Sequence, residues 1–306
     1  MRPRHIKGNP KAIPNPKFPL LVSYAYLRKC RPEDRKWILE EATNEGFEVL
    51  LDSGAFTAAN CGETILLDEY SSFLKKYQKS FFGYFTLDVL QDPETTKTNL
   101  ASLLDQGLSP IPIHVWGSDE ETMSDLFKLS DFVGLGGFKR PHRGPAPKNY
   151  VFKKMEWANG RNVHWLGYTN LPMVSALTPF SCDCSSWTAG VRYGRADFYL
   201  GRGKWKNVQR SGKSRVAYTT GMDKLIQQAG FTKKDFYDDK GWARSAGGQI
   251  YGTGFFLQMV LTTSWVNYIM EIRKKLGTRL FLATALVPHD LEAIRHAVKT
   301  WRSLNE

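Results

Sequence analysis

The chain has 306 residues, 42% of them hydrophobic, which suffices for one large α/β domain or two ordinary ones. Forty-two Lys and Arg against 30 Asp and Glu leave a formal charge of +12, favouring a polyanionic partner, nucleic acid first. The four cysteines, Cys30, Cys61, Cys182 and Cys184, lack the spacing of a disulfide framework, and the basic, proline-rich start lacks the apolar core of a signal peptide, so a cytoplasmic, reducing setting is expected.

After the basic arm, residues 1–19, strand-like and helix-like segments alternate. "PLLVSYAYL" reads as a first strand and "RPEDRKWILEEATNEG" as an amphipathic helix ending at Gly46. "FEVLLDSGAF" precedes the helix "LDEYSSFLKKYQ"; "FFGYFTLDV" precedes "DPETTKTNLASLLDQG", with Pro93 in its first turn. "SPIPIHVWG" leads into "SDEETMSDLFKLS", with Ser118 as the expected N-cap and Glu121 three residues on. "DFVGLGGF", "NVHWLGYT" and "PFSCDCSSW" read as strands five to seven, and "RLFLATALV" with the helix "PHDLEAIRHAVKTWRSL" as an eighth unit. The uncharged stretch Ser245 to Met270 carries Gln249, Gln258, Thr262, Thr263, Ser264 and Asn267, too polar for a membrane span, and reads as a buried helix.

Apolar runs alternating with helices imply parallel strands joined by crossovers. Eight such units predict a (β/α)8 TIM-type barrel, with a doubly wound open sheet as the alternative. The expected domain is residues 20–306, with an insertion or subdomain at about 188–278 before the last strand. In a barrel the chemistry stands at the C-terminal ends of the strands. There the sequence places Asp52, Asp88, Trp116, Gly134-Leu-Gly-Gly137, Gly167-Tyr168 and Asp183. Three aspartates on one rim beside a glycine-rich backbone point to an active site.

In "FSCDCSSW" the two cysteines share one face of a strand and Asp183 takes the other. Zinc would need further Cys or His at clip-like spacing, and a redox pair prefers C-x-x-C, so Cys182 and Cys184 are assigned to packing and Asp183 to a pocket. His114 and His164, inside apolar runs, are read as structural histidines satisfied by hydrogen bonds.

These residues resemble a family. "LLDSGAF" is similar to the Asp-Ser-Gly-Gly-Phe/Tyr motif of tRNA-guanine transglycosylases, with Ala55 for the second glycine. "FSCDCSSW" resembles the segment around their nucleophilic aspartate, "YFTLDV" the strand with their base-recognising aspartate, "VGLGGF" their glycine-rich base-binding strand, and "HWLGYTNLP" their Tyr-Leu-Met/Gly-Val-Gly strand. The likeness runs in register from about Leu20 to about Trp187. The family's zinc cluster, C-x-C-x2-C with a later histidine, is absent, and Trp116-Gly117 stands where the family carries glutamine before glycine. With the short chain, these departures resemble the smaller DpdA-type DNA transglycosylases, many phage-encoded, which put 7-deazaguanine derivatives such as preQ0 (7-cyano-7-deazaguanine) into DNA.

The resemblance implies exchange of guanine in DNA for a 7-deazaguanine through a covalent aspartyl–sugar intermediate, with no cofactor beyond the incoming base. Asp183 would be the nucleophile and Asp52 the general base. Ser53 and Gly54 would offer hydrogen bonds to base or phosphate. Asp88 would accept from the N1–H and 2-amino group, and the amides of Gly136 and Gly137 would serve O6. Phe56 and Tyr168 would stack on the base, with Trp116 also in the base pocket. Two basic runs would meet the phosphate backbone: Lys139, Arg140, Arg143, Lys148, Lys153 and Lys154, and then Arg192, Arg195, Arg202, Lys204, Lys206, Arg210, Lys213 and Arg215. Enzymes of this type are commonly dimers. The alternatives are the same chemistry on tRNA, a metal-dependent barrel hydrolase built on Asp52, Asp88, His114 and Asp183, and a non-catalytic nucleic-acid-binding barrel.

Overall fold

The computed structural model describes residues 16–89, 92–140, 144–145, 148–242 and 255–305. The strands are β1 (Phe18–Ser23), β2 (Phe47–Asp52), β3 (Gly83–Tyr84), β4 (Ile113–His114), β5 (Phe132–Leu135), β6 (Lys139–Arg140), β7 (Gly144–Pro145), β8 (Asn162–Trp165), β9 (Ser181–Cys184), β10 (Arg195–Tyr199), β11 (Trp205–Gln209) and β12 (Arg279–Thr284).

Eight of them form one curled sheet in the order β3-β2-β1-β12-β9-β8-β5-β4, with every pairing parallel. The edge strands β3 and β4 approach each other through a parallel bridge between Phe85 and Ile111. The arrangement is α/β and (β/α)8-like. Every residue of β1 and β9 is buried, as strands covered on both sides must be. The run containing β4 expresses only two strand residues because Pro110 and Pro112 bring no N–H to the ladder. Asp88 and Trp116, expected to close strands three and four, stand in the loops beyond them, because β3 ends at Tyr84 and β4 at His114.

The chain divides into two compact units, the residues up to Cys184 with Leu276–Ala285, and Ser185–Lys275 with Leu286–Glu306. The last helix, Pro288–Ser303, groups with the second unit. The second unit has its own core, in which Ala196 and Phe198 of β10 and Val208 of β11 pack with Met222, Leu225, Phe236, Trp242, Phe256, Val260 and Leu261. Its longest helix, Phe255–Leu276, occupies the described part of the uncharged stretch; residues 245–254 lie outside the described residues. Among the described residues no helix is long and apolar enough to cross a membrane.

Two local expectations change. The helix cap before Glu120–Leu129 is Asp119, not Ser118; its carboxylate accepts the Thr122 N–H at 2.8 Å, because the helix starts one residue later than the sequence pattern suggested. The first long helix is α-helical over Pro32–Lys36 and then widens into a π-helical turn over Trp37–Glu41, where Trp37, Ile38 and Leu39 are all buried. Pro93 does sit in the first turn of Pro93–Asp105, capped by Asp92.

Phe198 is fully buried in the core of the second unit. Phe198→Ala is expected to lower stability by about 3–5 kcal/mol, read from the urea midpoint at unchanged slope.

Candidate active site

Alternation along the strands gathers the carboxylates. Leu21, Leu50, Phe85, Ile113 and Phe281 form one apolar cluster. Ser23 lies two residues beyond Leu21 and Asp52 two beyond Leu50, so both turn to the side those leucines face, and they are in register with each other. Asp183 is in register with Phe281, and Ser181, two residues earlier, with His164. Asp52 and Asp183 thus stand at the C-terminal ends of β2 and β9 over a common apolar floor.

Burial pushes the Asp52 carboxyl up to about 8, helped by the nearby charges of Asp88 and then Asp183. The Gly54 N–H, which donates to Asp52 Oδ2 at 3.0 Å, and the neighbouring Ser23 hydroxyl oppose this only in part. Asp52 therefore holds a proton at neutral pH while remaining partly open to solvent. The turn that shapes this contact requires glycine. Gly54 has φ +83°, and a Cβ there would meet Ser23 Oγ at 2.4 Å and the Ala25 nitrogen at 2.8 Å.

Ser53 is fully buried, and its hydroxyl donates to Asp88 Oδ1 at 2.9 Å while accepting the Ala55 N–H at 3.3 Å. Its expected role at base or phosphate is corrected: it anchors Asp88, since a hydroxyl enclosed in this turn cannot reach a ligand. The Gly54 amide is likewise committed to Asp52. Asp88 is half-buried, and burial raises its carboxyl above the usual range, with the Ser53 hydroxyl opposing. Tyr70, which the sequence did not single out, lies buried beside this group; its hydroxyl donates to the Phe85 carbonyl at 2.7 Å.

Asp183 is held through one oxygen. Oδ1 accepts the Gly167 N–H at 2.6 Å and faces His164 Nε2 at 3.2 Å, while the Asp183 carbonyl accepts the Thr169 hydroxyl. Cys182 and Cys184 form no disulfide and are buried on the opposite face. His164 is a satisfied buried histidine, but one of its two partners is the expected nucleophile, a connection that only the pairing of β8 with β9 creates.

The remaining expected pocket residues are placed unequally. Phe56 is 43% exposed at the start of the helix Ala55–Asn60, free to stack on a ligand. Tyr168 is buried, stacked on Phe138 with ring centroids 4.8 Å apart, which leaves it packing where ligand stacking was expected. Trp116 is half-buried and lies against Tyr150, centroids 4.4 Å apart. The Gly136 amide donates to the His114 carbonyl at 3.0 Å, so it does not serve O6 as expected. Gly137 makes no such bond among the described residues; its φ is +83° and a Cβ there would strike Trp116 at 2.7 Å.

His114 is engaged at both nitrogens, Nε2 with the Asp119 carbonyl at 2.8 Å and Nδ1 with Lys154 Nζ at 3.0 Å. Burial and the Lys154 charge push the imidazole down to about 4. A neutral ring already used on both sides offers no lone pair to a metal ion. Among the described residues no group of three or more His, Cys, Asp or Glu could hold one.

Part of the basic runs is buried or paired within the protein. Lys154 is buried, bonded to His114 and to the Ser118 carbonyl, and Lys213 is buried against Asp239 at 2.7 Å, so neither faces a polyanion. Arg195 grips Asp197 through Nε at 2.8 Å and Nη2 at 2.9 Å. Lys139 and Arg140 form β6, paired with β7, and Arg192 ends the short helix Ala189–Arg192; Arg143 lies outside the described residues. Arg202 and Lys204 are exposed at the turn joining β10 and β11, Lys206 is half-exposed with Nζ on the Ala217 carbonyl, and Lys148, Lys153, Arg210 and Arg215 are exposed.

Asp52 titrates near 8 when folded and near 3.9 when unfolded, so its protonation stabilises the fold fully below pH 4, and that stability is lost as pH rises toward 8. Asp52→Asn should melt close to wild type at pH 4 and several degrees higher at pH 9; a difference independent of pH would contradict the perturbed carboxyl. No family model matches the chain, and no curated protein matches it in sequence.

Proposed function

We propose that the protein is a DNA-guanine transglycosylase that exchanges guanine for a 7-deazaguanine such as preQ0, on a (β/α)8 barrel of the transglycosylase type. The observation that carries this reading is the division of labour among three neighbouring carboxylates: Asp183 tethered through Oδ1, Asp52 holding a proton, and Asp88 half-tethered by Ser53. Pairs of carboxyl groups whose environments differ in this way suit acid–base chemistry at a glycosidic bond.

In the first half-reaction an Asp183 oxygen forms a bond to C1′ while the C1′–N9 bond breaks. The electron pair goes to N9, which takes the Asp52 proton as guanine leaves. In the second, the Asp52 carboxylate removes the N9 proton of the incoming deazaguanine. N9 attacks C1′, the ester bond to Asp183 breaks, and both carboxyls return to their starting states. Asp88 accepts from the N1–H and 2-amino group, the Gly137 amide serves O6, and Phe56 supplies a stacking face, with Trp116 flanking the pocket. Polymer binding is assigned to the basic runs, of which Arg202 and Lys204 are exposed. The resemblance and the missing zinc cluster favour DNA over tRNA.

Because Asp52 must be protonated when guanine leaves, kcat/KM for the polymer should fall as pH rises above about 8. The direct test incubates the protein with duplex DNA, single-stranded DNA or tRNA plus 7-cyano-7-deazaguanine, and digests each to nucleosides for mass spectrometry. A deazaguanine deoxynucleoside is expected with wild type, and at least about a thousandfold less with Asp183→Asn. A ribonucleoside moves the reading to tRNA; no product from any polymer overturns it.

A further inference from the structure

Asp183 has two oxygens, and the fold treats them differently. Oδ1 takes the Gly167 N–H at 2.6 Å and lies 3.2 Å from His164 Nε2. Oδ2 has no hydrogen-bond partner among the described residues. His164 is fully buried in β8, and its Nδ1 lies 2.8 Å from Ser181 Oγ, on the strand that carries Asp183. A carboxylate oxygen accepts, so Nε2 must carry the hydrogen. In the tautomer with hydrogen on Nε2, Nδ1 receives the Ser181 O–H. Phe85, Phe132 and Phe281 surround the imidazole, with ring centroids 5.1, 6.4 and 5.9 Å away. A ring wedged among three aromatics and tied at both nitrogens cannot turn to release Asp183.

We infer that His164, oriented by Ser181, is a positioning residue that pins Asp183 Oδ1 and so selects Oδ2 as the oxygen that bonds to C1′. This rests on the reading of the site as a base-exchange centre. With Gly167 and His164 both on Oδ1, rotation about the Asp183 Cβ–Cγ bond costs two hydrogen bonds in a buried site. Oδ2 stays aimed at the sugar, and Oδ1 becomes the carbonyl oxygen of the glycosyl ester. The same donors hold the carboxylate as it leaves C1′ in the second half-reaction. A Gly167 amide alone would leave a single pivot.

The test compares His164→Phe, His164→Gln and Ser181→Ala with wild type in the base-exchange assay. Phenylalanine suits the aromatic surroundings and removes only the hydrogen bonds, whereas the glutamine amide nitrogen can reach the place of Nε2. His164→Phe should lower kcat by roughly 10–100-fold with KM for the deazaguanine unchanged, as loss of an orienting partner does. His164→Gln should recover most of that loss, and Ser181→Ala should cost less than His164→Phe. Equal losses in His164→Phe and His164→Gln, or an effect on KM alone, overturn the inference. Histidine-selective ¹⁵N NMR separates this from failure of the functional reading. If wild type makes no product, that reading fails. The spectrum still reports the contact: an Nε2–H tautomer whose signal moves in Asp183→Ala supports it, and an Nδ1–H tautomer overturns it.

Discussion

Three carboxyl groups share one end of a parallel sheet whose floor is apolar, and the rest of the first unit is organised around making that tolerable. Three like charges in a partly dehydrated space repel each other and lose solvation together. The protein resolves this by giving each group a different partner. Asp52 keeps a proton, with only the Gly54 N–H and the Ser23 hydroxyl opposing burial. Asp88 takes the Ser53 hydroxyl. Asp183 takes a backbone N–H and an imidazole. The asymmetry that follows suits the proposed base exchange, in which one carboxyl gives a proton and a tethered carboxylate bonds to C1′.

The tethers depend on backbone that only glycine supplies. Gly54 turns left-handed against β1, with no room for a Cβ between Ser23 and Ala25, and that close approach aims its amide at Asp52. The strands are short as well: β3 ends at Tyr84 and β4 at His114, so Asp88 and Trp116 stand on loops above the sheet rather than within it. Loops carried on a rigid sheet place side chains over its mouth, where a flat base could enter.

Much of the architecture is legible in the sequence. Runs such as "FPLLVS" and "SCDC", buried throughout, announce parallel strands because both their faces must be covered. Asp52, Asp88 and Asp183 were legible as rim residues because each closes an apolar run. The roles of their neighbours were less so. Ser53 read as a ligand contact because it follows Asp52 in a turn, yet it faces Asp88, 35 residues on. The Gly136 amide read as a free donor, yet the β4–β5 pairing uses it. Lys154 and Lys213 read as surface charge, yet each is buried with a polar partner that lies distant in sequence.

What the sequence determined by itself is the order of the eight strands of the parallel sheet, because that follows from local periodicity, proline and glycine; where the strands before Asp88 and Trp116 end it did not determine. What only the tertiary structure decided is who meets whom. His164 and Ser181 are 17 residues apart and become neighbours through the register of β8 on β9. The last helix continues the β/α rhythm in sequence but groups with the second unit. Register and packing are long-range choices, set by how whole faces fit, and no local pattern encodes them.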